Sequence, residues 1–123
     1  MTLSKDELTA MVKMAMVMAE ADDVVKDEEY GIIGGCLTDF GLTAGQAGII
    51  ADVAEEMDPS YAISVLSKMS IDQKKYVSSF LANVMAADED LSDDEIQLWV
   101  EINVTCGFPR MDFEEALDYW QEH

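Results

Sequence analysis

Two stretches hold the residues of this sequence that could do chemistry. One reads Ala21-Asp22-Asp23-Val24-Val25-Lys26-Asp27-Glu28-Glu29, the other Ala87-Asp88-Glu89-Asp90-Leu91-Ser92-Asp93-Asp94-Glu95. Each is a carboxylate-rich turn with one apolar residue, Val25 or Leu91, in its middle. Carboxylates are hard oxygen donors, and they suit capture of a hard divalent cation: Ca2+, Mg2+ or Mn2+. Asp22 and Asp88 each follow a long apolar run with helical spacing. A carboxylate at a helix C-terminus meets exposed carbonyl oxygens and is unfavourable there by itself. A cation accepts both kinds of oxygen, which turns the conflict into a site. Glu29 and Glu95 each follow their aspartate by seven residues, so the candidate ligand set is Asp22, Glu29, Asp88 and Glu95.

Helix, acidic loop and helix is also the order of the EF-hand. That loop needs oxygen ligands at positions 1 and 3, glycine at 6 and glutamate at 12. With Glu29 at position 12, position 1 is Met18 and position 6 is Asp23. With Glu95 at 12, positions 1 and 3 are Val84 and Ala86. Neither copy is an EF-hand. Placing Asp90, Ser92, Asp94 and Glu101 at 1, 3, 5 and 12 puts Glu95 where glycine is required and unwinds a capped helix start. A competing reading needs no metal. Asp27, Glu28, Glu29, Asp93, Asp94 and Glu95 are the residues that helix N-termini use against the macrodipole. Glu95 forms a capping box with Ser92, and Asp22 and Asp88 accept turn backbone NH groups. The carboxylates then serve capping and solubility, and the protein is an acidic adaptor for a basic protein partner. Glu55, Glu56, Asp58, Glu114, Glu115, Asp118 and Glu122, with Tyr119 and Trp120, are candidates for its surface.

Other chemistry is poorly provided for. The sole histidine is His123, which argues against a zinc site. There is no G-x-S-x-G and no phosphate-cradling glycine loop. Cys36 and Cys106 have no CxxC spacing and read as partly buried free thiols in a reducing compartment. The expectation is a non-enzymatic binding module. Lys and Arg number 7 against 26 Asp and Glu, a formal net charge of −19. Such a surface repels nucleic-acid phosphates and anionic lipid heads, and suits cations or basic proteins. The N-terminus opens a charged helix and not a secretory signal, and no stretch is long enough to span a bilayer.

The turns need helices to position them. Ser4-Lys5-Asp6-Glu7, Thr43-Ala44-Gly45-Gln46, Ser70-Ile71-Asp72-Gln73 and Ser92-Asp93-Asp94-Glu95 fit the capping box, and Asp58-Pro59 and Asp112 open two more helices. Gly41 and Gly107 stop helices. Leu8, Met11, Val12, Ala15 and Met18 recur at helical spacing, and the methionines read as core filler. Ala47, Ile50, Val53, Ala54 and Met57 share a face of the third helix; Tyr61, Val65 and Leu66 lie on the fourth; Val77, Leu81, Val84 and Met85 on the fifth; Ile96, Trp99 and Val100 on the sixth; Leu117 and Trp120 on the last. Gly31 and Gly35, four apart, predict close approach of another helix. No convincing strand is present. The prediction is a single all-α domain over residues 1–123, with about seven helices.

Displaced by 66 residues, Ala21, Asp22, Asp27, Glu29 and Gly41 fall on Ala87, Asp88, Asp93, Glu95 and Gly107. Met14, Met18, Val25, Ile32 and Ile33 fall on Phe80, Val84, Leu91, Leu98 and Trp99. This predicts two pseudo-symmetric three-helix repeats, about 5–57 and 70–123, joined by a short helix. The motif A-D-x-x-[VL]-x-D-x-E between two apolar helices resembles that of the TerB tellurite-resistance family and its TerB-like relatives. The likeness covers most of the chain and includes the seven-helix count. Family members carry glycine directly after the motif aspartate; Asp23 and Glu89 stand there in this sequence. The resemblance implies a bacterial, cytoplasmic, stress-associated protein, membrane-associated through partners, without a defined enzymatic activity and with acidic residues that bind divalent cations.

Overall fold

A computed structural model describes residues 2–21, 27–86 and 93–122, with side chains for all of these except 19–21, 27–32 and 120–122. The described residues form seven α-helices and no strand: α1 (Lys5–Ala21), α2 (Asp27–Asp39), α3 (Ala44–Glu56), α4 (Pro59–Ser67), α5 (Ile71–Ala86), α6 (Asp93–Cys106) and α7 (Phe113–Glu122). The all-α class is as the capping and periodicity predict.

Side chains close the helix ends. Glu7 N donates to Ser4 Oγ at 3.1 Å while Ser4 N donates to Glu7 Oε1 at 2.8 Å. The Thr43–Gln46 and Ser70–Gln73 pairs repeat the same reciprocal bonds. Each box satisfies NH groups that the first helical turn leaves without partners. Asp58 Oδ1 accepts from Ser60 N at 2.7 Å and Asp112 Oδ1 from Glu115 N at 2.8 Å. Gly41 and Gly107 take φ of +84° and +69°, the left-handed region that a side chain strains. The residue after each glycine closes a Schellman motif: Leu42 N donates to Leu37 O (3.3 Å) and Phe108 N to Asn103 O (2.9 Å).

The core runs between α1 and α5. Met11, Val12 and Ala15 of the first and Val77, Phe80 and Leu81 of the second have no exposed surface. Around them, α1 packs on α3, α4 and α5, and α5 packs on α2, α6 and α7. Met14, Met16 and Met18 are also buried, so the methionines of α1 fill the core and form no groove. The rings of Trp99 and Phe113 meet edge to face, with centroids 5.3 Å apart. Polar groups in this interior are bonded: Ser78 Oγ donates to Asn103 Oδ1 (2.6 Å), Trp99 Nε1 to Ser78 O (3.0 Å) and Ser79 Oγ to Ala116 O. Among the described residues no buried side-chain polar atom lacks a partner.

The expectations for Val53 and Gly35 change, and two further apolar residues, Tyr61 and Val100, lie at the surface. Val53 is half exposed on the outside of α3, because Ile50 and Ala54 take the inward positions. Tyr61 stands at the surface, where its hydroxyl donates to Asp6 Oδ2 and joins α4 to α1 without entering the core. Val100 also faces outward, beside buried Trp99. A Cβ at Gly35 would meet nothing within 4 Å, so among the described residues no helix approaches there; Gly31 lies outside the described side chains.

Candidate functional site

The acidic turns lie between helices whose starts recur at the 66-residue offset, Lys5 with Ile71 and Asp27 with Asp93, while the ends before the turns match to within one residue. The first joins the end of α1 at Ala21 to the start of α2 at Asp27; the second joins the end of α5 at Ala86 to the start of α6 at Asp93. Both helix pairs are in contact. Asp22 and Asp88 lie outside the described residues, as do Val25 and Leu91. Glu29 lies in the first turn of α2, and its side chain also falls outside the description. Glu95 is half-buried in the first turn of α6, following exposed Asp93 and Asp94. The convergence of Asp22, Glu29, Asp88 and Glu95 is therefore a matter beyond the described side chains. Among the described residues, no three His, Cys, Asp or Glu groups are arranged to hold a metal ion.

The electrostatics around the turns are one-sided. No helix, α1 and α5 included, has a basic residue in its last turn. The negative ends of the helix dipoles are thus left without a lysine or arginine of their own helix.

The thiols are free and buried. Burial pushes Cys36 from 9.0 up to about 11; the Tyr76 hydroxyl, 3.4 Å from the sulfur, pulls weakly the other way. Burial also raises Cys106 to about 11, against the opposing pull of Lys74. Thiols held this high stay protonated near neutral pH and are poor nucleophiles.

Two surface features lie away from the turns, the first of them including Glu115, Asp118 and Tyr119 of the candidate adaptor surface. An open cleft of about 400 Å³ is lined by Lys75, Arg110, Met111, Glu115, Asp118 and Tyr119. The second is the outer face of α3. Ile49 and Val53, one turn apart, are 56% and 50% exposed. Gly45 and Gly48 share that face; a Cβ on Gly48 would meet nothing within 4 Å, and one on Gly45 only Thr43 Oγ1 at 3.9 Å. A glycine inside a helix costs about 0.5–1 kcal/mol relative to alanine, and among the described residues none packs closely enough to require these two. The signal was present in the sequence as two glycines within the helical run. Val53 was assigned inward because its spacing from Ile50 and Met57 also fits a core stripe.

No protein-family model and no curated protein matches the chain. Among solved structures, the crystal structure of PG1108, a protein of unknown function from Porphyromonas gingivalis, is similar with a TM-score of 0.88. The two share 35% sequence identity over 98% of this chain and 92% of that one. The chain belongs to the PG1108 family. Membership gives the helical fold a crystallographic counterpart along almost its full length and carries no activity with it. No described helix is long and apolar enough to cross a membrane.

Proposed function

We propose that the chain is a non-enzymatic, TerB-like, stress-associated module whose duplicated acidic turns bind a divalent cation through Asp22, Glu29, Asp88 and Glu95. The observation that carries this reading is the recurrence of the same helix frame around both turns. Each turn joins a helix with no basic residue in its last turn to a helix that begins in the acidic part of the repeated motif. Carboxylate and carbonyl oxygens at such a junction are the hard donors that Ca2+, Mg2+ and Mn2+ accept. A bound cation also offsets part of the self-repulsion of a chain with formal charge −19.

Chelator-treated protein titrated with each cation in turn tests this. Saturation at a hundredfold over Kd adds about 2.7 kcal/mol, which moves Tm by several degrees. The Asp22→Asn/Asp88→Asn variant should show no shift. If none of the three cations raises Tm, the metal reading fails.

The second reading is an acidic adaptor with no metal, its turns serving capping and solubility. The exposed apolar pair on α3, set beside Asp52, Glu55 and Glu56, favours it. An adaptor keeps its partner in chelator, whereas a metal-dependent module releases it.

A further inference from the structure

The outer face of α3 combines features that the rest of the chain does not need. Ile49 and Val53 project into solvent, and Gly45 and Gly48 beside them carry no side chain and have open space over them. Asp52, Glu55 and Glu56 are exposed on the same helix, Asp58 follows it, and α3 has no lysine or arginine. The other half of the chain supplies a control. At the 66-residue offset, Gly48, Ile49 and Val53 correspond to Glu114, Glu115 and Tyr119 of α7. There, Glu114 and Glu115 are exposed and Tyr119 is half-buried, which is the ordinary partition of a surface helix. The scaffold position therefore does not demand glycine and exposed isoleucine; α3 departs from it.

We propose that this face of α3 docks an amphipathic helix of a partner protein, with small apolar residues on one side and lysine or arginine along its flanks. Gly45 and Gly48 allow close approach of the partner backbone. Ile49 and Val53 provide the apolar contact that its removal from water stabilises. Asp52, Glu56 and Asp58 pair with the basic flanks. A second copy of this chain is the wrong occupant, because two bodies of formal charge −19 repel each other and α3 offers no cation to another α3. The proposal rests on the adaptor reading and is independent of the cation site.

The test uses a stapled amphipathic peptide with alanine and leucine on one face and lysine and arginine on its flanks, titrated by fluorescence anisotropy in chelator. A control peptide carries glutamate in place of the basic residues. The full chain should bind the first and not the second, with affinity falling as salt rises. Ile49→Asp/Val53→Asp should weaken binding by about tenfold or more. Gly48→Leu should also abolish close docking while leaving Tm unchanged or higher, since the added side chain has open space; a structural glycine would lower Tm instead. Equal binding by wild type and both variants overturns the α3 surface but leaves an acidic adaptor elsewhere on the chain. No binding of the basic peptide by the wild type overturns the adaptor reading and the proposal with it.

Discussion

At corresponding positions in the two halves, Lys13 of α1 and Ser79 of α5 each donate to a backbone carbonyl of the third helix of their half. Lys13 Nζ reaches Glu55 O at 3.3 Å, near the C-terminal end of α3, and Ser79 Oγ reaches Ala116 O in α7. The frame around them repeats closely. The Ser4 and Ser70 capping boxes, the Gly41 and Gly107 stops, and the Leu42–Leu37 and Phe108–Asn103 bonds all recur 66 residues apart. The third helices differ. Pro109 stands where Thr43 caps α3, and α7 begins three residues later, on Asp112. The recurring features are local helix-end chemistry, caps and glycine stops. The outward residues of α3 and α7 are the part free to diverge, and it is there that a partner surface is best sought.

Ways to break this comparison begin with the core. Met14 and Phe80 are equivalent and buried. Phe80→Ala should cost about 3–5 kcal/mol and Met14→Ala about 2–5 kcal/mol in urea denaturation. Both should preserve one cooperative transition, because α1 and α5 share one interior. Two separated transitions would make the halves independent units. Next come the glycine stops. Gly41→Ala and Gly107→Ala should each destabilise by about 1–2 kcal/mol, since both force a side chain into positive φ. Unequal losses would show that the two Schellman motifs are not energetically matched. Smaller still, Gly48→Ala should stabilise α3 by about 0.5–1 kcal/mol, while Glu114→Ala at the matching site in α7 should change Tm little.

The thiols sharpen the comparison by pH. Folding raises Cys36 and Cys106 from 9.0 to about 11, so the folded state holds their protons more tightly than the unfolded chain. Their full contribution is present below pH 9 and is lost as pH rises through 11. Tm should therefore fall across that window, and less so in Cys36→Ala/Cys106→Ala compared with its own value at pH 8. A thiol reagent should label the folded protein slowly at neutral pH, because both groups are buried and protonated.

Much of the frame was legible because it is written in local chemistry. A serine three residues before glutamate or glutamine, or a glycine after an apolar run, specifies a helix end without knowledge of the fold. The burial of Met11, Met14 and Met18 followed from the same logic. Val53 was placed on one face with Ile50, Ala54 and Met57, but an apolar stripe wider than its available partner surface leaves its edges exposed. Which edge wins is set by helices distant in sequence. For α3, Ile50 and Ala54 win against α1 and α2, and Val53 is left outside. Tyr61 illustrates a second limit: Asp6, distant in sequence, gives its hydroxyl a surface partner and raises its pKa, a pairing that no local spacing announces. For the candidate site, the helix starts at Asp27 and Asp93 were legible from their acidic first turns. Whether the four carboxylates meet depends on the placement of Asp22 and Asp88, which repetition alone does not set.

The central claim concerns those two aspartates. Titration calorimetry of chelator-treated protein with Ca2+, Mg2+ and Mn2+, repeated on Asp22→Asn/Asp88→Asn, tests it most directly. The wild type should give a saturable heat for at least one cation and the double variant none, with the helical circular dichroism of the two proteins the same. No saturable heat in the wild type, or an undiminished heat in the variant, would contradict it.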